Sequence, residues 1–97
     1  MVCRTLAAAI GVASIAAAVV ASAEPPAGAA ACSGCHPAST RVTSPVPRLA
    51  GLDRAAIVRA MQDFRSGTRA GTVMDRIAKG FTEAEVQAIA AWYATQR

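Results

Sequence analysis

Beyond its first 23 residues this 97-residue chain has few large apolar side chains. Of the remaining 74 residues 34 are hydrophobic, but 18 of those are Ala or Cys, which leaves 16 to build a core. A domain of that size with so little to bury is marginal by burial alone and calls for a staple: disulfides, a metal or a bound group. Aromatic residues are equally scarce, two Phe, one Tyr and one Trp. With no basic run interleaved by stacking rings, a nucleic-acid surface is excluded. No segment alternates apolar and polar residues with period two, which argues against a sheet. What the chain does not lack is overall hydrophobicity. At 54% apolar residues and a mean hydropathy of +0.35 it is too apolar for disorder.

Most of that hydrophobicity sits at the front, where 18 of the first 23 residues are apolar. Arg4 supplies a single positive charge, residues 6–20 form an Ala-rich stretch, and Ala21-Ser22-Ala23 gives the small-x-small pattern of a cleavage site before Glu24. Residues 1–23 are therefore read as a cleavable export signal and residues 24–97 as the mature domain. The rival, a retained membrane anchor, has only the 19 uncharged residues 5–23 to span with, and most of those are Ala, Gly or Ser. Cys3 precedes the apolar stretch and leaves with the signal, so no membrane anchor is expected after cleavage.

The mature chain then holds two cysteines, Cys32 and Cys35, followed directly by the only histidine, His36. A structural zinc site needs four ligands, and neither a third Cys nor a second His exists to complete it. A thioredoxin-like redox pair needs a βαβ context, which the surrounding sequence does not offer. A bare disulfide across so small a loop gains little, since the entropic benefit grows with loop length. The remaining reading is covalent haem attachment, for which C-x-x-C-H is the signature. Two thiols at that spacing add across the two vinyl groups of a porphyrin, and the adjoining imidazole becomes the proximal iron ligand. A haem also supplies the large apolar filler that the composition lacks.

Beyond this motif, Pro47-Arg48-Leu49-Ala50-Gly51 reads as a P-x-L-x-G element and the residues around Met74 as an axial-methionine segment. On these residues the chain resembles the class I c-type cytochromes from Ala31 to Arg97. From Phe64 through Met74 and Gly80-Phe81-Thr82 to Trp92-Tyr93 it is most similar to the cytochrome subunit of flavocytochrome c sulfide dehydrogenases. The resemblance implies an all-α fold, three to four short helices packed around one covalently attached haem c. It also implies that Cys32, Cys35, His36, Met74 and Pro47 bind the cofactor, with His36 and Met74 on the iron. The carbonyl of Pro47 would accept the proton of the other imidazole nitrogen, an outer contact that orients the ring.

Residue patterns predict helices independently. Asp53 is a good N-cap for a helix over 54–66, with Ile57, Ala60, Met61 and Phe64 on one face and Gly67 placed to end it. Thr82 with Glu85 makes a capping box, Phe81 with Val86 a hydrophobic staple, and Val86, Ile89, Ala90 and Tyr93 then repeat at helical spacing. Residues 75–79 read as a short helix stopped by Gly80. Two methionines compete for the sixth iron position. Met61 lies within an apolar helix face, where packing explains it, whereas Met74 follows a Gly-containing loop able to carry it across the haem from His36. Met/His ligation suits a haem that only passes electrons.

Two departures from the resemblance stand out. Pro25, Pro26 and Gly28 leave only about two helical turns before Cys32, which puts the usual crossing of first and last helices in doubt. Residues 37–46 also lack a glycine-rich continuation, and a reduced contact area there suits a subunit that leans on a partner.

The preferred function is the periplasmic haem subunit of a sulfide-oxidising flavoenzyme. FAD is then carried only by the partner, with which the chain forms a heterodimer, and electrons pass on to a downstream cytochrome or membrane redox complex. In this reading the chain has no catalytic residue of its own. The alternative is a free soluble monohaem carrier between membrane redox complexes. The excess of three cations over acids in residues 24–97 is by default a solvated helix surface. Any basic ring round the haem edge would steer an acidic redox partner.

Overall fold

The computed structural model describes residues 24–97; the export-signal reading and Cys3 lie outside the described residues. Four helices follow in order, α1 (Ala29–Cys32), α2 (Arg54–Ser66), α3 (Met74–Ile77) and α4 (Glu83–Thr95), with a 3₁₀ turn (Ala78–Gly80) continuing α3. No strand occurs among the described residues, so the fold is all-α. None of these helices is long and apolar enough to cross a membrane.

The two long helices start and stop where local chemistry dictates. The Asp53 side chain accepts a hydrogen bond from the Ala56 amide at 3.1 Å, satisfying one of the free N–H groups of the first turn of α2. Gly67 ends that helix at φ 81°, a left-handed conformation that a Cβ disfavours. At α4, Thr82 Oγ1 accepts from the Glu85 amide at 3.2 Å while the Thr82 amide donates to Glu85 Oε2 at 2.8 Å, closing the capping box. The short helix begins one residue earlier than the pattern of 75–79 suggests and tightens sooner. The Val73 carbonyl accepts from both the Arg76 and Ile77 amides at 3.0 Å, and by Ala78 the turn has become 3₁₀.

The core lies between α2 and α4. Ile57 and Val58 of α2 meet Val86, Ile89, Ala90 and Tyr93 of α4, and Ala29 of α1 joins them. All four positions expected on α4 are buried, as is Ile57; Met61 packs at the margin, and Val58 is buried without having been singled out. Among the described residues no large side chain is fully buried, and three of the eight buried residues are alanines.

The first helix is a single turn, shorter than the two turns expected. Gly28, immediately before it, adopts φ 88°, and a Cβ there would lie 2.7 Å from Phe81 Cε1 and 3.3 Å from Ile89 Cδ1. The backbone thus comes within touching distance of α4 and its leading phenylalanine, in a conformation glycine tolerates without steric cost. The first-to-last helix packing therefore survives on a minimal footprint: Ala29 is fully buried, and the Tyr93 hydroxyl donates to its carbonyl at 2.7 Å.

Candidate functional site

The attachment segment is a helical turn that runs on past α1. The Cys35 and His36 amides both donate to the Cys32 carbonyl, at 3.2 and 3.0 Å, so both cysteines and the histidine leave one turn of backbone. The cysteines are free thiols, Cys32 half-buried against the core and Cys35 exposed. Burial pushes the Cys32 thiol above the usual cysteine range, partly countered by a backbone hydrogen bond. Its Sγ lies 3.6 Å from the Gly28 carbonyl oxygen, to which it donates.

His36 is oriented from across a loop. Its Nδ1 lies 2.5 Å from the carbonyl oxygen of Pro47. A carbonyl only accepts, so Nδ1 carries a proton; in the neutral ring that leaves the lone pair on Nε2, the tautomer a metal ligand requires. Pro47 is itself fixed from behind. Leu49 packs against the core, the Gly51 amide donates to the Tyr93 carbonyl at 3.0 Å with Gly51 at φ 77°, and the Leu52 amide closes a turn onto the Leu49 carbonyl at 3.1 Å. The P-x-L-x-G element thus plugs into the end of α4 and presents its proline carbonyl to the imidazole. Beside His36 opens a cleft of about 320 Å³ whose walls include Ala29, Leu49 and Trp92.

Met74 is positioned from the C-terminal end of α2. The Arg69 amide donates to the Asp63 carbonyl at 3.1 Å, and its guanidinium stacks 4.7 Å above the Phe64 ring, folding residues 67–71 back onto α2. Gly71 then passes so close to that ring that a Cβ would sit 2.9 Å from Phe64 Cε1 and 3.3 Å from Met74 Cβ. Met74 opens α3, half-buried, and is not one of the residues packed on the core, whereas Met61 is. The structure thus brings His36 and Pro47 into direct contact, holds Cys32 and Cys35 on the same turn, and carries Met74 on a separate element.

Whether these residues fit a haem is a question of donors and of surface. The donors are two unpaired thiols, one imidazole with a free Nε2, and one thioether not committed to the core. Among the described residues no three His, Cys, Asp or Glu side chains gather to hold a bare ion. The surface agrees: Leu52, Val73 and Ile77 are 42%, 52% and 41% exposed. Leu52 directly follows the P-x-L-x-G element, and Val73 and Ile77 flank Met74 one helical turn apart, sharing a face. Large apolar side chains left open beside both candidate ligand segments suit a wide apolar plate. Arg48, whose Nε donates to the Ala38 carbonyl at 2.8 Å, was not singled out from the sequence. Nothing in residue type or spacing announces that bond.

No protein-family model matches the chain. Curated relatives do. Over 62 residues, 64% of this chain, it is 39% identical to the cytochrome subunit of sulfide dehydrogenase from Chlorobaculum tepidum, 56% of which is covered. It is 39% identical over 62 residues to cytochrome c-552 of Acidithiobacillus ferridurans, covering 27% of that protein. It is 38% identical over 65 residues to the thiosulfate dehydrogenase electron acceptor of Stutzerimonas stutzeri, covering 30%. The chain spans just over half of the first relative and under a third of the other two. The resemblance to cytochromes read from the motifs is borne out by these relatives, and the absence of strands among the described residues agrees with the helical fold it implies.

Proposed function

We propose that this chain is a monohaem c-type cytochrome that takes electrons singly from an FAD-containing sulfide dehydrogenase subunit in the periplasm and hands them to a downstream cytochrome or membrane redox complex. The observation that carries the reading is the hydrogen bond from His36 Nδ1 to the Pro47 carbonyl, on the same turn as the free thiols of Cys35 and Cys32. That bond orients the ring and leaves Nε2 free to bind a metal. When bound, a haem supplies reversible one-electron iron chemistry. Cys32 and Cys35 would hold it as thioethers, His36 Nε2 and Met74 Sδ would ligate its iron, and Leu52, Val73 and Ile77 would shield it from water. Two protein ligands on the iron would resist binding of oxygen or substrate, which suits electron passage over catalysis.

The choice of donor is supported by similarity to a sulfide dehydrogenase cytochrome subunit and to an electron acceptor of thiosulfate dehydrogenase. Both belong to the oxidation of reduced sulfur, and both place the relative downstream of a dehydrogenase. Export across the inner membrane rests on the sequence of residues 1–23. The test is reduction by sulfide in a complete periplasmic extract, followed by copurification. The proposal expects sulfide to reduce the haem, seen as the ferrous spectrum, and a secreted FAD protein to copurify. A chain that purifies alone and that sulfide leaves oxidised would contradict it, pointing to the free carrier.

A further inference from the structure

We infer that Arg48 is a positioning residue that sets the strength of the His36–Pro47 hydrogen bond and thereby the reduction potential of the iron His36 binds. The inference rests on the reading of His36 as the proximal ligand. It starts from the loop of residues 37–46, which leaves the chain at His36 and returns at Pro47. Inside that loop the bonds made by its own amides are local. The Val42 amide donates to the Ser39 carbonyl at 3.5 Å, the Arg41 amide to Ser39 Oγ at 3.1 Å, and the Val46 amide to Ser44 Oγ at 3.1 Å. None of them crosses from one limb to the other.

Two bonds close the base of the loop. One is His36 Nδ1 to the Pro47 carbonyl; the other is Arg48 Nε to the Ala38 carbonyl at 2.8 Å. They are adjacent rungs, joining residues 36 and 38 on one limb to 47 and 48 on the other. The return limb is anchored, because Leu49 is packed against the core. The outgoing limb carries exposed Ala38, Ser39 and Thr40. Arg48 ties it to the anchored limb. A planar guanidinium with a sideways Nε–H suits that role better than a flexible, strongly hydrated ammonium.

The consequence for the iron follows from the chemistry of the imidazole. A well-made Nδ1–H···O bond pushes electron density toward Nε2 and makes His36 a more basic ligand, which favours ferric iron. Releasing the outgoing limb lengthens that bond, weakens the donation and raises the potential. A through-space effect of the Arg48 charge has the opposite sign: removing a cation near the iron favours the ferric state and lowers the potential. The two accounts therefore separate in one measurement.

The experiment uses the full haem-loaded chain with Arg48→Leu and Arg48→Lys, reading the reduction potential and, by NMR of the ferrous protein, the exchange rate of the His36 Nδ1 proton. The expected result for Arg48→Leu is a raised potential with that proton exchanging about tenfold faster, the scale of one hydrogen bond lost. Arg48→Lys keeps the charge and recovers part of both effects. An intact Met–iron band in the ferric spectrum shows that the opposite axial ligand has not moved. A lowered potential, or an unchanged exchange rate, in Arg48→Leu overturns the inference. Should the leucine variant fail to fold, Arg48→Lys decides alone: a potential and exchange rate equal to wild type overturn it. Loss of the underlying reading shows up earlier, as an unmutated chain whose haem lacks histidine ligation.

Discussion

Tyr93 joins α4 to the attachment turn through one hydroxyl, donated to the Ala29 carbonyl at 2.7 Å in a buried setting. Tyr93→Phe leaves that carbonyl unpaired and is expected to cost about 1–3 kcal/mol in a denaturant melt. Burial, and secondarily the charge of a Cys32 thiolate, holds the tyrosine hydroxyl above its usual range. The folded chain thus keeps this proton to higher pH than the unfolded chain does. The resulting stability is complete below about pH 10, the unfolded value, and is lost as pH rises through the folded one. Alkaline titration of stability should show that loss in the wild type and a shallower one in Tyr93→Phe. Once Cys32 is a thioether its thiolate cannot form, and burial alone sustains the shift. The methionines give a second residue-scale test. Met61 packs on the core and Met74 does not, so the weak ferric charge-transfer band of a Met-ligated haem should vanish in Met74→Ala; its persistence would assign the ligand to Met61.

At the scale of elements, what was legible in the sequence was what is local. Asp53 and Gly67 bracket α2, and Thr82 with Glu85 opens α4, because each cap is made within three or four residues of its own helix. The single turn of α1 was not legible, because it depends on Phe81 and Ile89 closing on Gly28 from more than fifty residues away. The Arg48–Ala38 bond escaped for the same reason, being fixed by how a loop closes. The site divides likewise: the two thiols, the histidine and both methionines can be named from spacing and contrast, while the exposure of Leu52, Val73 and Ile77 emerges only once the helices are packed. Two substitutions separate support from site. Thr82→Ala removes the cap of α4 and should lower stability by about 1 kcal/mol without altering the ferric band. Gly71→Ala puts a methyl against Phe64 and the Met74 Cβ, and should weaken the band.

For the whole molecule, charge and core size set the behaviour. Three of the acids bond within the fold: Asp53 and Glu85 accept from helix-start amides, and Glu83 accepts from Gln62 and Gln87. The arginines point elsewhere, Arg54 to Gln87, Arg65 to the Phe81 carbonyl and Arg69 over Phe64. None of these contacts joins an acid to a cation, so the excess positive charge stays available at the surface. Reduction by an acidic donor should therefore slow as ionic strength rises, measured by stopped-flow at increasing salt. The core, with eight buried residues among those described, three of them alanine, is too small to hold residues 24–97 together by itself. The proposed covalent haem would complete this domain. The most direct measurement is a thermal melt followed by far-ultraviolet circular dichroism, run in parallel on the haem-loaded chain and on the Cys32→Ser/Cys35→Ser chain. A cooperative transition in the first and none in the second is the result expected. Two chains that melt alike would contradict it.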